Sequence, residues 1–302
     1  GCWVIGWTQH GSFESRWDDC LMVVVLRDAQ RARRAQVESA APYVSLVRAA
    51  SQFPSIPKQL PTRMRLATYN VHRWSGASGR QALDAARPGI VISELDADVV
   101  ALQEVLRPFD AKDPLTELAE EQHLHVAFVV TRAHRHGELG NAILSRWPIT
   151  SLFVLDLSFS RLERRSALAA EFKLGDRSLT VVATHLALRD RTRQRQVRTI
   201  LSHPQLQGPV VLMGDLNAWR GSKATKALVA ALGAHGNRRW PASFPSAGPF
   251  LALDRIYSRG AQIETLEVYR SPEARRASDH LPVIAELKLP VMASQSSPLL
   301  SH

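Results

Sequence analysis

Short apolar segments separated by polar ones recur along most of the chain and predict a protein with many β-strands. The strand candidates are Arg65 to Val71, Ala97 to Val105, Asn141 to Ser145, Ala167 to Leu174, Leu179 to Leu186, Pro209 to Asn217, Leu253 to Ser258, Ile263 to Val268 and Val283 to Leu289. The helix candidates are Pro88 to Leu95, Leu115 to His123, Thr192 to Ser202 and Ser222 to Leu232. So many strands with so few helices favour two packed sheets flanked by helices over a simple alternating sheet.

The two ends of the chain differ in composition from its middle. Arg27 to Ser51 is rich in Arg and Ala and predicts a helix, and Pro54, Pro57 and Pro61 predict an extended linker over residues 51–62. Residues 1–63 are therefore predicted to form an N-terminal extension that is partly helical or disordered. Residues 64–289 are predicted to form one domain, and residues 290–302 a polar, disordered tail.

Asp215 and Asn217 follow directly on the apolar run Pro209 to Met213. Strand side chains alternate with period two, so both residues are predicted to lie on the same face of a buried strand. A buried carboxylate or amide needs hydrogen bonds, a cation or a substrate to offset the cost of desolvation. The tetrapeptide Gly214-Asp215-Leu216-Asn217 therefore indicates either a capped turn or a polar binding site.

Other polar residues also occur where apolar strands begin or end. They are Asn70, His72, Glu104, His185, Asp254, Asp279 and His280. Taken singly, each has an ordinary explanation, such as a turn cap for Asn70 or a surface ion pair between Glu104 and Arg107. Taken together they favour one site, because α/β proteins build ligand sites at strand ends from distant parts of the sequence.

The chain carries an excess of positive charge. Its 302 residues have a formal net charge of +10, and most of the cationic side chains are Arg. The excess favours a polyanionic partner such as nucleic acid, a phosphorylated small molecule or an anionic membrane surface. A compositional bias of the genome would produce the same excess, so charge alone does not identify the partner.

Cysteine content and hydropathy bear on the compartment. The two cysteines, Cys2 and Cys20, lie far upstream of the polar series, so the rest of the chain has no disulfide and no thiolate metal site. No segment approaches the ~20 apolar residues that span a membrane, and the first residues lack the basic and apolar regions of a secretory signal. These features predict a cytoplasmic protein without an integral membrane segment, and a monomer is favoured.

A series of short motifs, in this order along the chain, resembles the motifs of the endonuclease/exonuclease/phosphatase superfamily. They are Thr68-Tyr69-Asn70-Val71-His72, Leu102-Gln103-Glu104-Val105, Gly140-Asn141-Ala142-Ile143-Leu144-Ser145, Thr184-His185-Leu186, Gly214-Asp215-Leu216-Asn217, Leu253-Asp254-Arg255-Ile256 and Ser278-Asp279-His280. The resemblance covers about residues 64–289 and is strongest to small bacterial members that share Ser243-Phe244-Pro245. It implies a four-layered α/β sandwich, in which two packed mixed β-sheets are flanked by helices, and hydrolysis of a phosphate ester by water.

The resemblance also implies a metal cofactor, Mg²⁺ or Mn²⁺, and a phosphate site. Glu104 and Asp279 would bind the metal, with Asn70 as a further candidate ligand, and their hard oxygen atoms suit such a cation. Asn70, Asn217 and Asn141 would bind the phosphate, because amides can donate hydrogen bonds to it. Whether one or two metals act is left open.

Four residues would be catalytic by the same resemblance. Asp215 would orient and deprotonate the attacking water. His280 would pair with Asp254, which fixes the imidazole tautomer and favours its charged form, and His185 would donate a second hydrogen bond to the phosphate. Which histidine contributes more is left open.

The favoured function is a nuclease-like phosphodiesterase with nucleic acid as its substrate. The alternatives are a phosphatase or phospholipid phosphodiesterase of the same superfamily, and a non-catalytic nucleic-acid-binding module. The absence of cysteines from the core disfavours the secreted pancreatic-type deoxyribonucleases. Ala218-Trp219-Arg220 departs from the abasic-site enzymes, and the missing secretion signal disfavours the bacterial sphingomyelinases.

Two arginine-rich segments lie near the motifs. Arg189 to Arg198 could guide a nucleic-acid backbone, but no aromatic residue interleaves with its arginines, so a solvated helix face is preferred. Arg164 or Arg165 could add a cationic contact to the substrate. An exposed arginine is more often solvated surface, and that interpretation is preferred here too.

Overall fold

Two β-sheets packed face to face form the centre of the protein in a computed structural model, which describes residues 31–50, 62–160, 163–174, 177–233 and 239–289. The strands are β1 (Tyr43–Arg48), β2 (Arg63–Asn70), β3 (Val99–Pro108), β4 (His125–His134), β5 (Gly137–Ser145), β6 (Ser151–Asp156), β7 (Ser166–Leu174), β8 (Arg177–His185), β9 (Val210–Asp215), β10 (Asp254–Arg259), β11 (Gln262–Val268) and β12 (Val283–Lys288). The larger sheet has the order β1-β4-β5-β3-β2-β12-β11, and the smaller has the order β10-β9-β8-β7-β6. Each contains one parallel pair, β2 with β3 and β8 with β9, and is otherwise antiparallel.

Helices cover the outer faces of both sheets. They are α1 (31–40), α2 (Ala86–Glu94), α3 (Pro114–Glu121), α4 (Asp190–Leu201), α5 (Lys223–Leu232) and α6 (Pro272–Ala277), with single 3-10 turns at His72–Trp74 and Pro204–Leu206. Across the described ranges, no helix combines the length and the apolar character needed to cross a membrane.

The alternation of apolar side chains along each strand accounts for the layers. In β2, Leu66 faces the interior between the sheets, whereas Tyr69 faces the cluster formed with α2 and α3. In β8, Val181 faces the interior between the sheets, and its neighbour Val182 packs with α4 and α5. The order helix, sheet, sheet, helix confirms the predicted four-layered α/β sandwich.

The nine predicted strands and the four helices predicted within residues 64–289 are all present, with ends displaced by a few residues. The sequence did not predict β1, β4, β6 or α6. The helix predicted for Arg27 to Ser51 is wrong over β1, which pairs with β4 in an antiparallel register. Helical backbone stops at residue 40, just before Pro42, and the alternating segment Tyr43–Arg48 is stabilised by the edge of the larger sheet.

The division into an N-terminal extension and a single domain stays a prediction. Residues 31–50 are described, and β1 is part of the larger sheet. Nearly all of the predicted Pro-rich linker and the whole of the predicted tail, residues 290–302, lie outside the described residues.

Gly214 is required by the close approach of β8 and β9. Its φ is 153°, and a Cβ at this position would overlap the backbone carbonyl oxygen of Thr184. We expect Gly214→Ala to lower the free energy of unfolding by about 3 kcal/mol or more. Gly208→Ala is the matched control, because an added Cβ there meets no atom within 4 Å. Urea unfolding of both variants checks this, and equal stabilities would contradict the assignment of Gly214.

Candidate active site

The carboxyl ends of the two parallel strand pairs meet at one edge of the sandwich. β2 contacts β9, and β3 contacts β8, across the interior between the sheets. Asn70 ends β2, His185 ends β8 and Asp215 ends β9. Asp254 begins β10 directly opposite Asp215, because β10 runs antiparallel to β9. The strand register therefore brings these four predicted site residues together.

Asp215 is a buried carboxylate surrounded by hydrogen-bond donors. Its Oδ2 accepts a hydrogen bond from Asn70 Nδ2 at 3.2 Å, and lies 3.4 Å from His185 Nε2 and 3.7 Å from His280 Nε2. Its Oδ1 accepts a hydrogen bond from the backbone N–H of Asn217 at 3.0 Å. Only 2% of the surface of Asp215 is exposed. These protein donors therefore surround the carboxylate in place of water.

Asn217 reaches Asp215 through a turn. The prediction that both residues lie on the strand is wrong, because β9 ends at Asp215 and Asn217 has a left-handed backbone with a φ of 51°. The hydrogen bond from the Asn217 N–H to the Asp215 side chain favours a turn over continuation of the strand, and Asn tolerates this conformation better than most residues. Asn217 Nδ2 donates to the carbonyl oxygen of Leu186 at 2.9 Å.

His280 and Asp254 form the pair that the sequence predicted. His280 Nδ1 lies 2.8 Å from Asp254 Oδ2, which also accepts a hydrogen bond from Ser243 Oγ at 2.5 Å. Burial acts to lower the pKa of His280, but the negative charges of Asp254 and Asp215 and the hydrogen bond to Asp254 raise it to about 10. The imidazole beside Asp215 is therefore positively charged at neutral pH.

The surroundings of His185 shift its pKa in the opposite direction to that of His280. Burial, together with the positive charge of Arg165, lowers the pKa of His185 to about 3, although the charge of Asp215 opposes this shift. His185 is therefore neutral at neutral pH. The two histidines that flank Asp215 thus differ in charge, a separation found where acid and base roles are divided between titratable groups.

Glu104 is presented to the site by an irregularity in β3. The register with β5 shifts between Leu102 and Val105, and Glu104 has a left-handed φ of 52°. Such a bulge redirects a side chain, at a cost in backbone strain that is common at functional sites. The carboxylate lies 3.6 Å from Arg73 Nε, and the turn that carries Arg73, His72–Trp74, has left-handed φ values at all three residues.

Asp279 lies where a second carboxylate is unfavourable without a cation. Burial raises its pKa and the negative charge of Glu104 adds to this shift, whereas His280 and His72 oppose it. Asp279 Oδ1 is 3.3 Å from His72 Nδ1. Two mutually repelling carboxylates, both partly open to solvent, are a donor set that fits a divalent cation such as Mg²⁺ or Mn²⁺.

A second group of oxygen and nitrogen ligands lies deeper. One ligand atom each from Asp215, Asp254 and His280 fall within 4.8 Å of one another. A cation here would have to displace the proton of His280, and Asp254 Oδ2 already accepts two hydrogen bonds. Asp254 Oδ1 is buried without a partner among the described residues. On this donor chemistry the deeper group suits proton transfer better than metal binding.

Asn141 lies close to Glu104. It lines a small pocket together with Glu104, Arg165 and His185, and its Nδ2 donates to the carbonyl oxygen of Ser166 at 3.0 Å. The preference for Arg165 as solvated surface is wrong, because its guanidinium is largely buried and lies 3.5 Å from Glu163. Arg165 therefore provides a positive charge within the site.

The segment Arg189 to Arg198, which was interpreted as a solvated helix face, lies mostly in α4. The structure agrees with that interpretation only in part. Val197 and Ile200 are buried, on the face turned away from solvent. Arg193 is also buried, and it donates to the carbonyl oxygen of Ala187 at 3.0 Å. Its guanidinium lies 5.9 Å from the ring centre of Trp219, an aromatic contact from another loop that the local sequence did not reveal.

Sequence reasoning placed its candidate residues at one edge, and their chemical roles stay predictions. It missed Arg73 as a neighbour of Glu104 and Ser243 as a partner of Asp254. The Ser243-Phe244-Pro245 motif was a usable signal for the second contact. No local pattern indicates the contact between Arg73 and Glu104, because an arginine in a left-handed turn has no sequence signature.

Comparison with known proteins gives consistent results. The model of the Endonuclease/Exonuclease/phosphatase family matches residues 78–280. The uncharacterized protein YbhP of Escherichia coli strain K12 is 29% identical over 252 residues, which cover 74% of this chain and 96% of YbhP. The structure of an endonuclease/exonuclease/phosphatase from Beutenbergia cavernae is 25% identical, with a TM-score of 0.62, and the match covers 75% of this chain and 72% of that one. A mannosyl-6-phosphatase from Bacteroides thetaiotaomicron shares the fold, with 18% identity, a TM-score of 0.58, and coverage of 74% and 99%.

Proposed function

The chain belongs to the endonuclease/exonuclease/phosphatase family, whose members hydrolyse phosphoesters, and from this we propose that it is a divalent-metal-dependent phosphodiesterase that cleaves nucleic acid. The observation that carries the proposal is the buried Asp215 carboxylate, held by Asn70 and flanked by one charged and one neutral histidine. Buried titratable groups with widely separated pKa values mark sites of proton transfer.

In the proposed reaction, Asp215 is the general base. It takes a proton from a water molecule whose oxygen forms the new bond to phosphorus, while the bond from phosphorus to the leaving oxygen breaks and that oxygen takes up a proton from solvent. The donors on Asp215 limit its rotation, since Asn70 and the backbone of Asn217 bind different carboxylate oxygens. A fixed base is more effective because the water is already in line when the phosphate binds.

The two histidines have different tasks in this proposal. His280 is charged and stabilises the negative charge that grows on the phosphate oxygens, and Asp254 keeps its ring in position. Neutral His185 donates a hydrogen bond to the same phosphate. Asn70, Asn217 and Asn141 supply further polar contacts to the phosphate around Asp215 and Glu104.

Glu104 and Asp279 would hold the metal, with Asn70 as a further candidate ligand. When bound, a Mg²⁺ or Mn²⁺ ion would stabilise the charge on the phosphate and on the leaving oxygen. The left-handed conformation of Glu104 supports this assignment, because it turns the carboxylate toward the site at a cost in backbone energy.

Glu104→Gln tests the metal assignment. We expect the Mg²⁺ concentration at half-maximal activity to rise about tenfold or more, because an amide is a weaker ligand than a carboxylate. Direct titration with Mn²⁺, followed by electron paramagnetic resonance, should show the same loss of affinity without a substrate. Glu264→Gln is the matched control, since that carboxylate pairs with Arg63 at the start of β2, the end of the strand away from Asn70. Unchanged metal affinity in Glu104→Gln would contradict the assignment.

The choice of nucleic acid as substrate rests on the net charge of +10. A cytoplasmic location and a monomeric state belong to the same proposal and rest on the sequence alone. A panel of DNA, RNA, phosphoinositides, phospholipids and soluble phosphomonoesters, assayed with Mg²⁺ and Mn²⁺, tests the substrate class. Release of nucleotides supports the proposal. Exclusive release of inorganic phosphate or of a lipid headgroup would favour a phosphatase or a phospholipid phosphodiesterase instead.

A further inference from the structure

A groove with cationic walls opens beside Glu104, outside the residues assigned above to catalysis. Its volume is about 730 Å³, and its cationic lining residues are Arg73, Arg80 and Arg135, with His134 and His136 beside them. No Asp or Glu is among the described residues that line it. We call this feature the basic groove.

Two of the three arginines that line the basic groove have no carboxylate partner among the residues that the structure describes. Arg80 and Arg135 form no ion pair with a carboxylate anywhere in the described part of the chain. Arg107, by contrast, lies 2.7 Å from Asp113. Unpaired cations that share a concave surface raise the local positive potential and attract anions.

The basic groove is continuous with the proposed catalytic centre through one residue. Arg73 lines the groove, and its Nε lies 3.6 Å from the Glu104 carboxylate. Beyond Glu104, the smaller pocket adds Arg132 and Arg165. The positive potential also acts on His134, whose pKa is lowered to about 4 by burial and by the charges of His136 and the nearby arginines.

The lining of the basic groove suits phosphates better than bases. Besides its basic residues it contains small, polar and aliphatic side chains such as Ser75, Gly79 and Leu106, and no Phe, Tyr or Trp among the described residues. Stacking platforms for bases are usually aromatic, whereas contacts to phosphate need only cations and polar groups.

We propose that the basic groove binds the phosphates that flank the scissile bond, so that the substrate is a polynucleotide chain bound by its backbone without regard to sequence. This inference rests on the proposed phosphodiesterase activity. It assigns Arg80 and Arg135 as specificity determinants, because a diester with a single phosphate has no second phosphate for them to bind while the first occupies the catalytic centre.

The double variant Arg80→Ala/Arg135→Ala tests the inference in the full chain. The substrates are a single-stranded oligonucleotide and bis(p-nitrophenyl) phosphate, which has one phosphate only. We expect kcat/KM for the oligonucleotide to fall about tenfold or more relative to kcat/KM for the small diester. The slope of log KM against log salt should decrease by about 1.4, at ~0.7 for each lost phosphate contact to a single strand.

Two variants serve as controls. Arg63→Ala/Arg146→Ala removes the same number of positive charges far from the groove, where both residues pair with carboxylates. It should leave the ratio of the two kcat/KM values unchanged. Arg80→Lys/Arg135→Lys keeps the charges and should restore most of the salt dependence.

The outcomes separate this inference from the proposed function. Absence of hydrolysis of both substrates by the wild type would refute the phosphodiesterase activity itself. Hydrolysis of both substrates with an unchanged ratio in Arg80→Ala/Arg135→Ala would refute the groove assignment alone. An equal loss of kcat/KM on both substrates in this double variant would also refute the groove assignment. The same holds if the variant loses activity on anionic phospholipid vesicles but keeps it on the oligonucleotide.

Discussion

Asp215→Asn should lower the turnover of a phosphodiester about 10²- to 10⁴-fold, the usual contribution of a general base. The side chain keeps its shape, so its oxygen can still accept the hydrogen bond from the Asn217 N–H, and the turn at the end of β9 is expected to form. What is lost is the ability to take a proton from water. Initial rates at saturating substrate, with urea unfolding of the same preparation, measure the two effects separately.

Asp156→Asn is the matched control for this variant. Asp156 is exposed at the end of β6, where its side chain accepts a hydrogen bond from the backbone N–H of Ser158. The Asp156→Asn variant should retain wild-type turnover. Wild-type rates in Asp215→Asn would refute the role of Asp215 as the base, and an unfolded Asp215→Asn protein would instead assign the buried carboxylate a structural role.

Asp254→Asn should lower kcat about 10³-fold with little change in KM, because an amide cannot hold His280 in the same charged state and orientation. Asp254 is fully buried, and its Oδ2 lies 2.8 Å from Nδ1 of His280. Its effect on the reaction is therefore transmitted through the ring of His280. Steady-state kinetics that resolve kcat from KM measure this split.

Ser243→Ala provides a graded comparison for Asp254. The hydroxyl group of Ser243 donates to the same Asp254 oxygen that binds His280. Its removal leaves the carboxylate in place, so we expect a smaller loss, about tenfold in kcat. A larger loss in Ser243→Ala than in Asp254→Asn, or a change confined to KM in both, would contradict the positioning role of Asp254.

The sequence predicted that the candidate site residues share one edge, because strand periodicity and strand ends are local properties. Asn70, His185 and Asp215 each follow an apolar run, and the register of the parallel strands then brings them together. The strands that were missed at the sheet edges have weaker local signals. β1 and β6 are half-exposed, so their apolar pattern is diluted, and each is stabilised by pairing with one neighbouring strand.

Features set by the tertiary structure could not be predicted. Glu104 and Asn217 adopt left-handed backbones that neither residue type requires. The neutral state of His185, next to a positively charged His280, depends on burial and on the charge of Arg165. These contacts arise only when the loops at the strand ends are folded onto one edge of the sandwich.

The most direct test of the account is hydrolysis of a single-stranded oligonucleotide by the full chain with Mg²⁺, after chelation with EDTA, and after Mg²⁺ is restored. We expect release of shorter oligonucleotides or nucleotides with Mg²⁺, loss of that activity on chelation, and its recovery when the ion is returned. Cleavage that persists undiminished in EDTA, or no cleavage with any divalent ion, would contradict it.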